Sequence, residues 1–291
     1  MPSAAATSQA AVRDAIGVLE QAEALDAPAG LWGKVVRGAL PAGGVKDFLS
    51  GTWMGHALHP LLTAGTIGLW TSALVLDATG DPDGADRLVG AGIACAVPTA
   101  LTGSSDWADA ELGDPAARRV GLVHAVLNSA ALGLQIASYA NRRQGRRGRG
   151  IALSAVAGAA VGVSGHLGGH LSYVKGVGID QTVFDRGPAE WTDAIAADAL
   201  APGMPTTVVV GDTPVLLVRH ADGIHALHDR CSHRGCLLSD GHLDGEVVEC
   251  VCHGSRFRLD NGNLERGPAT VGQPALDVRE QGGRLEVRLR S

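Results

Sequence analysis

Hydrophobic and polar positions divide the chain into two halves with different periods. In the first half, residues 57–76, 88–105, 120–140 and 150–174 contain no Asp, Glu, Lys or Arg. A helix rises about 1.5 Å per residue, so each run can cross a hydrocarbon core of roughly 30 Å. Four such runs in succession, separated by polar loops, predict an all-α four-helix transmembrane bundle. Their Gly, Ala, Ser and Thr content permits close helix contact, and neighbouring helices can tolerate a kink at Pro98. Trp53, Trp107 and Tyr173 fall at span ends that share one membrane face, as an aromatic belt would. Beyond about residue 189 the pattern becomes short apolar strands with Gly-rich turns, which predicts a small antiparallel all-β domain. Residues 11–26 place Val12, Ile16, Leu19 and Leu25 at near-helical spacing between charges, and Leu31, Trp32, Val35 and Val36 continue an apolar face. This gives an interfacial or packing arm over 1–50, a membrane domain over 51–174, a linker over 175–188 and a β domain over 189–291.

Composition narrows the partners. A net charge of −6 argues against nucleic acid. Four of the five cysteines lie in the β half, and Cys95, among small residues, reads as packing. The start of the chain lacks a basic region followed by an apolar run and cleavage site, so no removable signal peptide is expected.

The chemistry sits in Cys231-Ser232-His233 and Cys250-Val251-Cys252-His253. The order C-x-H…C-x-x-H suits a [2Fe–2S] cluster with two thiolates on one iron and two imidazoles on the other. Imidazoles in place of two thiolates raise the reduction potential to roughly −150 to +300 mV, against about −400 mV for plant-type ferredoxins. Zinc accepts the same atoms, although zinc fingers usually pair Cys with Cys and His with His along the chain. The segments 231–236, 250–255 and 267–269, with the strands over 208–218 and 222–227, resemble a Rieske [2Fe–2S] protein. That resemblance implies Cys231 and Cys250 as ligands of one iron and His233 and His253 as ligands of the other. It also implies a disulfide between Cys236 and Cys252, as in Rieske subunits of cytochrome bc complexes, whereas simpler Rieske ferredoxins usually lack the pair. Gly267 and Pro268 match the proline loop over the cluster, and Ser255 matches a hydroxyl donor to a cluster sulfur. A second expected donor, a tyrosine, is Phe257 here, which implies a potential below that of quinol-oxidising subunits. Residues 51–77 and 168–173 resemble a family of uncharacterised four-helix bacterial membrane domains, some fused to a Rieske module.

His59, His124, His166 and His170 lie inside the predicted spans, and His56 sits at the edge of the first. Span order puts them all towards one membrane face. Burying an ionisable group in a bilayer is costly, so function is the default expectation. Three uses are open, as axial ligands of haem b, as ligands of another metal, or as hydrogen-bond partners of a quinone. The alternative is interhelical hydrogen bonding, with Asn128, one turn from His124, as a candidate partner. Five arginines in the loop between spans three and four (Arg142, Arg143, Arg146, Arg147, Arg149) predict a cytoplasmic loop, a multi-pass membrane protein and a β domain on the extracytoplasmic face. An oxidising face suits the disulfide. Lys34, Arg37, Lys46, Arg118 and Arg119 favour the opposite orientation. The expected function is a membrane-anchored carrier of single electrons between a quinol or membrane redox centre and a partner protein. A fourteen-residue linker at about 3.3 Å per residue would reach roughly 45 Å, enough for the β domain to swing. The alternatives are a subunit of a quinol-oxidising complex or a cluster-based redox sensor. A Rieske oxygenase would need a further domain holding a mononuclear iron, for which the chain leaves no room.

Overall fold

A computed structural model describes residues 4–290. Seven α-helices, α1 (Ala4–Glu20), α2 (Asp26–Ala39), α3 (Gly44–Ser50), α4 (His59–Thr79), α5 (Pro82–Ala110), α6 (Pro115–Arg143) and α7 (Arg147–Tyr173), precede ten short strands. The chain forms two compact units. One comprises the chain up to Ala39 together with Leu58–Val177; the other comprises Leu40–Ala57 and everything from Gly178 onward. The chain therefore passes between the units three times.

In the helical unit, α4 to α7 are the four helices long and apolar enough to cross a membrane. Starts are set by Asp81, which accepts from Gly84 N, and Asp114, which accepts from Ala116 N and Ala117 N, each followed by proline. The glycine content of the spans has a packing cause. A Cβ on Gly92 would sit 2.3 Å from the Trp70 indole, and one on Gly121 would sit 2.2 Å from that of Trp107. Each tryptophan lies where a facing helix has no side chain, so the backbones approach closely.

The helices overrun the charge-free runs at both ends because the end charges find partners. Arg142 Nη1 donates to Asp77 Oδ1 at 2.9 Å and Asp86 Oδ1 at 3.0 Å, and Arg147 Nη1 donates to Asp86 Oδ1 at 3.0 Å. With side-chain exposures of 0% for Arg142 and 3% for Asp77, this group ties α4, α5, α6 and α7 together. Towards the other end, Arg119 bonds both carboxylate oxygens of Asp26 at 2.8 and 2.6 Å, and Arg118 pairs with Glu111 at 2.7 Å. Ile16 of α1 packs with Ala117, Val120, Leu167 and Leu171.

The β unit holds β1 (Thr192–Ala196), β2 (Thr206–Val210), β3 (Thr213–His220), β4 (Gly223–His228), β5 (His242–Asp244), β6 (Val247–Glu249), β7 (Arg256–Arg258), β8 (Leu264–Arg266), β9 (Ala275–Gln281) and β10 (Arg284–Leu289). They form two antiparallel sheets, β1-β10-β9-β4-β3-β2 and β5-β6-β7-β8. Strand β3 is buried on both faces. Val215 and Leu217 join one core with Leu276 and Leu285, while Leu216 and Val218 join a second with Phe257 and Leu238. The period of two thus serves two cores, and the second lies under the loops that carry the cysteines.

Two segments beyond the strands belong to this unit. Residues 178–188 are held to it: Gln181 N donates to Ser232 O at 3.0 Å, and Thr213 Oγ1 donates to Asp185 Oδ1 at 2.7 Å. Residues 178–188, read from the sequence as part of a linker, are thus grouped with the β unit. The other segment is Leu40–Ala57, with α3 at its centre. It buries Lys46 and Ser50 and leaves Val45, Phe48 and Trp53 exposed, the last two rings stacked with centroids 5.9 Å apart.

Candidate metal centre

Two loops, one after β4 and one between β6 and β7, carry the C-x-H and C-x-x-H residues, and they close in the same way. Cys231 N donates to Cys236 O at 2.8 Å, and Cys250 N donates to Ser255 O at 2.8 Å. Gly235 N returns to Cys231 O at 2.8 Å, and Gly254 N to Cys250 O at 2.9 Å. Both glycines have φ of +78°, a left-handed turn that a side chain would strain. Each loop thus turns back on its own first cysteine.

The turns bring the donors together. Cys231 and Cys250 are 1% and 2% exposed, and their sulfurs are hydrogen-bonded to each other. That bond pushes the Cys231 thiol up, with burial adding to it, and pulls Cys250 down to about 7. A pair of thiols in which one yields its proton early suits thiolate ligation. The rings of His233 and His253 lie with centroids 5.0 Å apart at 87°. Burial holds His233 well below the ordinary imidazole range, with the charges of His253, Lys46 and Arg234 adding to the effect. It is therefore neutral, the form that binds metal. Two buried sulfurs and two adjacent imidazoles are a donor set that fits a [2Fe–2S] cluster with mixed ligation. Cys236 and Cys252 form a disulfide, Cα to Cα 6.5 Å, that links the two loops.

Ser255 is fully buried and its Oγ accepts from Ala269 N at 3.0 Å, which leaves the hydroxyl proton for another acceptor. The peptide between Gly267 and Pro268 is cis. Phe257 is fully buried in the core beneath. Residues the motif does not announce hold loop one. Gln273 donates through Nε2 to His228 O at 2.7 Å and Arg230 O at 2.8 Å, and its Oε1 accepts from Ser232 N at 2.8 Å. Buried Asp229 accepts from Ser239 N at 2.8 Å and Ser239 Oγ at 2.7 Å. Buried His228 accepts from Arg230 N at 3.1 Å.

The segment Leu40–Ala57 reaches the same loops. Thr52 Oγ1 donates to Ala269 O at 3.0 Å. A Cβ on Gly267 would lie 2.8 Å from Asp47 Oδ1, and one on Gly254 would lie 3.1 Å from Ala42 Cβ.

The membrane histidines are placed differently. His59 Nδ1 donates to Thr99 O at 3.0 Å, and its ring fills the space a side chain at Gly103 would need. His124 Nδ1 donates to Ser164 O at 2.8 Å, Asn128 Nδ2 donates to its Nε2 at 3.0 Å, and its ring abuts Gly168. His170 Nε2 donates to Glu20 Oε1 at 2.9 Å, and His166 is exposed. Among the described residues these four do not bring three ligand atoms together. His220, Asp222 and His225 do form a group of two imidazoles and a carboxylate, at the β3–β4 hairpin. Both rings bond the same Asp222 oxygen, at 2.7 and 2.9 Å, and Asp222 is half exposed.

Comparison with known proteins accords with this geometry. Residues 190–278 match the family described as Rieske [2Fe-2S] domain, and residues 55–181 match the one described as Predicted membrane protein (DUF2231). The chain is 35% identical over 98 residues to Ferredoxin CarAc of Metapseudomonas resinovorans, covering 33% of this chain and 92% of that protein. It is 31% identical over 101 residues to the anthranilate 1,2-dioxygenase ferredoxin subunit of Burkholderia cepacia, covering 35% and 94%. Among solved structures, the ferredoxin of carbazole 1,9a-dioxygenase from Nocardioides aromaticivorans IC177 is 29% identical with a TM-score of 0.33, covering 35% of this chain and 100% of that chain.

Proposed function

Because the chain belongs to the Rieske [2Fe–2S] family, we propose that it is an electron carrier fixed to a membrane by its own four-helix bundle. In this reading it takes single electrons from a quinol or another membrane redox centre and hands them to a partner protein. When bound, the [2Fe–2S] cluster supplies one-electron redox chemistry at a potential raised by imidazole ligation. Cys231 and Cys250 would hold one iron as thiolates, and His233 and His253 the other as neutral imidazoles. Ser255 would have its hydroxyl proton free for a sulfur of the cluster, while Phe257 would offer none. Gly267 and Pro268 lead the chain over the site to Ala269, and the Cys236–Cys252 disulfide braces one loop on the other. The observation that carries the reading is the convergence of the four donors on two loops closed by matching hydrogen bonds. Detergent-purified protein should contain one cluster's worth of iron and acid-labile sulfide per chain and show a reduced-state EPR signal; zinc in their place contradicts it.

The ferredoxin relatives support a carrier rather than an oxygenase. The only two-histidine, one-carboxylate group among the described residues lies on an open hairpin, not in a substrate-sized cavity. The disulfide favours a second reading, as the Rieske subunit of a quinol-oxidising complex. Turnover of a quinol with an artificial acceptor by the isolated chain would favour that second reading. For the bundle, the satisfied hydrogen bonds of His59, His124 and His170 support a structural use over haem, another metal or quinone. An extracytoplasmic β unit is supported by the disulfide and by the loop arginines. Protease protection of the β unit in inside-out and right-side-out vesicles tests the orientation.

A further inference from the structure

The β3–β4 hairpin carries a group of donors that its turn does not require. Asp222 and Gly223 are ordinary turn residues, but a turn does not call for a histidine on each strand. His220 pairs with Gly223, and His225 pairs with Val218. Side chains alternate along a strand and cross-strand partners share a face, so both histidines stand on one face of the hairpin. There they are diagonal neighbours, with ring centroids 6.2 Å apart. Asp222 folds back to both. His220 Nδ1 and His225 Nε2 donate to its Oδ1 at 2.7 and 2.9 Å. One ligand atom from each of the three residues lies within 4.8 Å of the other two. Arg219, between His220 and Val218, belongs to the opposite face. It donates to Leu200 O at 3.1 Å and Ala197 O at 2.7 Å, so its charge is committed away from the imidazoles.

The group is also accessible. The pairing of β3 with β2 ends at Leu217, and that of β4 with β9 ends at Ala226. The hairpin runs on past both ladders, with a bridge from Pro202 to Arg219. Side-chain exposure rises from 15% at His225 through 28% at His220 to 51% at Asp222. The rings are therefore largely held in place while the carboxylate meets solvent.

We propose that His220, Asp222 and His225 form a surface metal site, which takes a zinc-like divalent ion through two imidazoles and one carboxylate and leaves a coordination position open. Imidazole suits zinc, copper, iron and nickel, whereas a magnesium or calcium site draws on carboxylates, carbonyls and water. Zinc bonds of about 2.0–2.2 Å at tetrahedral angles separate the ligand atoms by roughly 3.3 Å. The present contacts of 2.7 and 2.9 Å span nearly the same space. Side-chain movements of about half an ångström exchange the hydrogen bonds for metal bonds. The oxygen that now accepts from both rings becomes the third ligand. The site uses none of Cys231, His233, Cys250 and His253, so it does not depend on the cluster assignment.

The test is equilibrium dialysis of the full, detergent-purified chain against zinc, with iron counted in the same samples. Wild type should bind one zinc beyond any metal at the cysteines. His220→Gln and His225→Gln should each weaken that zinc at least about tenfold, as loss of even an outer partner of a metal ligand does. Asp222→Asn is the sharper variant. Its amide oxygen still accepts from both rings, so the hairpin keeps its hydrogen bonds while the anionic ligand is gone. Zinc should weaken by a similar factor, with the zinc-free melting temperature unchanged. His242→Gln, which removes an exposed imidazole of β5, should bind zinc as wild type does. A wild-type chain that takes up no such zinc overturns the site. Wild-type affinity in His225→Gln or Asp222→Asn also overturns it and leaves the group as a clasp for the hairpin. Zinc that replaces iron and persists in all three variants sits at the cysteines and overturns the cluster assignment as well, so the two failures read differently.

Discussion

Both units of this protein contain histidines that look chemical, and among the described residues only one unit sets a pair of them on loops that also carry buried cysteines. In the bundle, His59 and His124 each face a glycine on a neighbouring helix and each finds a carbonyl there, Thr99 O and Ser164 O. In the β unit, His233 and His253 sit on turns that left-handed glycines fold back on themselves, next to two buried sulfurs. A helix offers an imidazole a hydrogen-bond acceptor wherever a facing glycine exposes backbone. Converging several donors on one point takes loops with irregular backbone, braced from outside.

That contrast can be broken most sharply by exchanging residues between its two sides. Cys231→Ser or His253→Ala should abolish the EPR signal and the bound iron, whereas His59→Ala and His124→Ala should leave both unchanged. A lost signal in the bundle variants would make those histidines part of the redox centre. Next in size, replacing Arg142 and Arg147 together by Met strands Asp77 and Asp86 inside the helical unit and should destabilise it by about 3–5 kcal/mol, read as a lower melting temperature in detergent with the cluster spectrum intact. Replacing Cys236 and Cys252 together by Ser opens a sequence loop of sixteen residues. It should cost the β unit about 2–4 kcal/mol, seen in denaturant unfolding followed through cluster absorbance. Smaller again are changes in hydrogen bonding to the sulfurs. Ser255→Ala should lower the midpoint and Phe257→Tyr should raise it, each by less than about tenfold in the redox equilibrium; an unchanged midpoint in Phe257→Tyr counts against the role given to the missing hydroxyl.

The smallest effect is a pH dependence. Burial is the main cause holding His228 below its ordinary value of 6.5, against the opposing pull of Asp185. The unfolded chain therefore takes up a proton at pH values where the folded chain does not. The contribution of His228 to stability is complete above about 6.5 and declines as the pH falls below it. Melting of the β unit between about pH 7.5 and 5 should show this slope, and His228→Gln should flatten it.

The cluster loops were legible because C-x-H and C-x-x-H leave few alternative chemistries. The spans were legible because the absence of charge over eighteen or more residues has few other causes. Loop support was not legible. Gln273 lies far along the chain from the Ser232 it clamps, and a single glutamine carries no pattern. Lys46 reads in sequence as one of several cations before the first span, a guide to membrane orientation. The structure buries it, because Leu40–Ala57 folds with the β unit. Nothing in the hydropathy of residues 1–50 marks where that segment parts from α1 and α2. The five loop arginines look alike in sequence, yet Arg142 and Arg147 bind Asp77 and Asp86, while Arg143, Arg146 and Arg149 make no ion pair among the described residues.

The reading of this protein stands or falls on whether four donors on two matched loops hold a mixed-ligand [2Fe–2S] cluster in a chain anchored by four helices. An EPR spectrum of the dithionite-reduced, detergent-purified protein, taken with its metal content, tests it most directly. The spectrum should show a Rieske-type signal accounting for all the iron, lost in His253→Ala and kept in His124→Ala. A silent spectrum with zinc bound at the cysteines would contradict it.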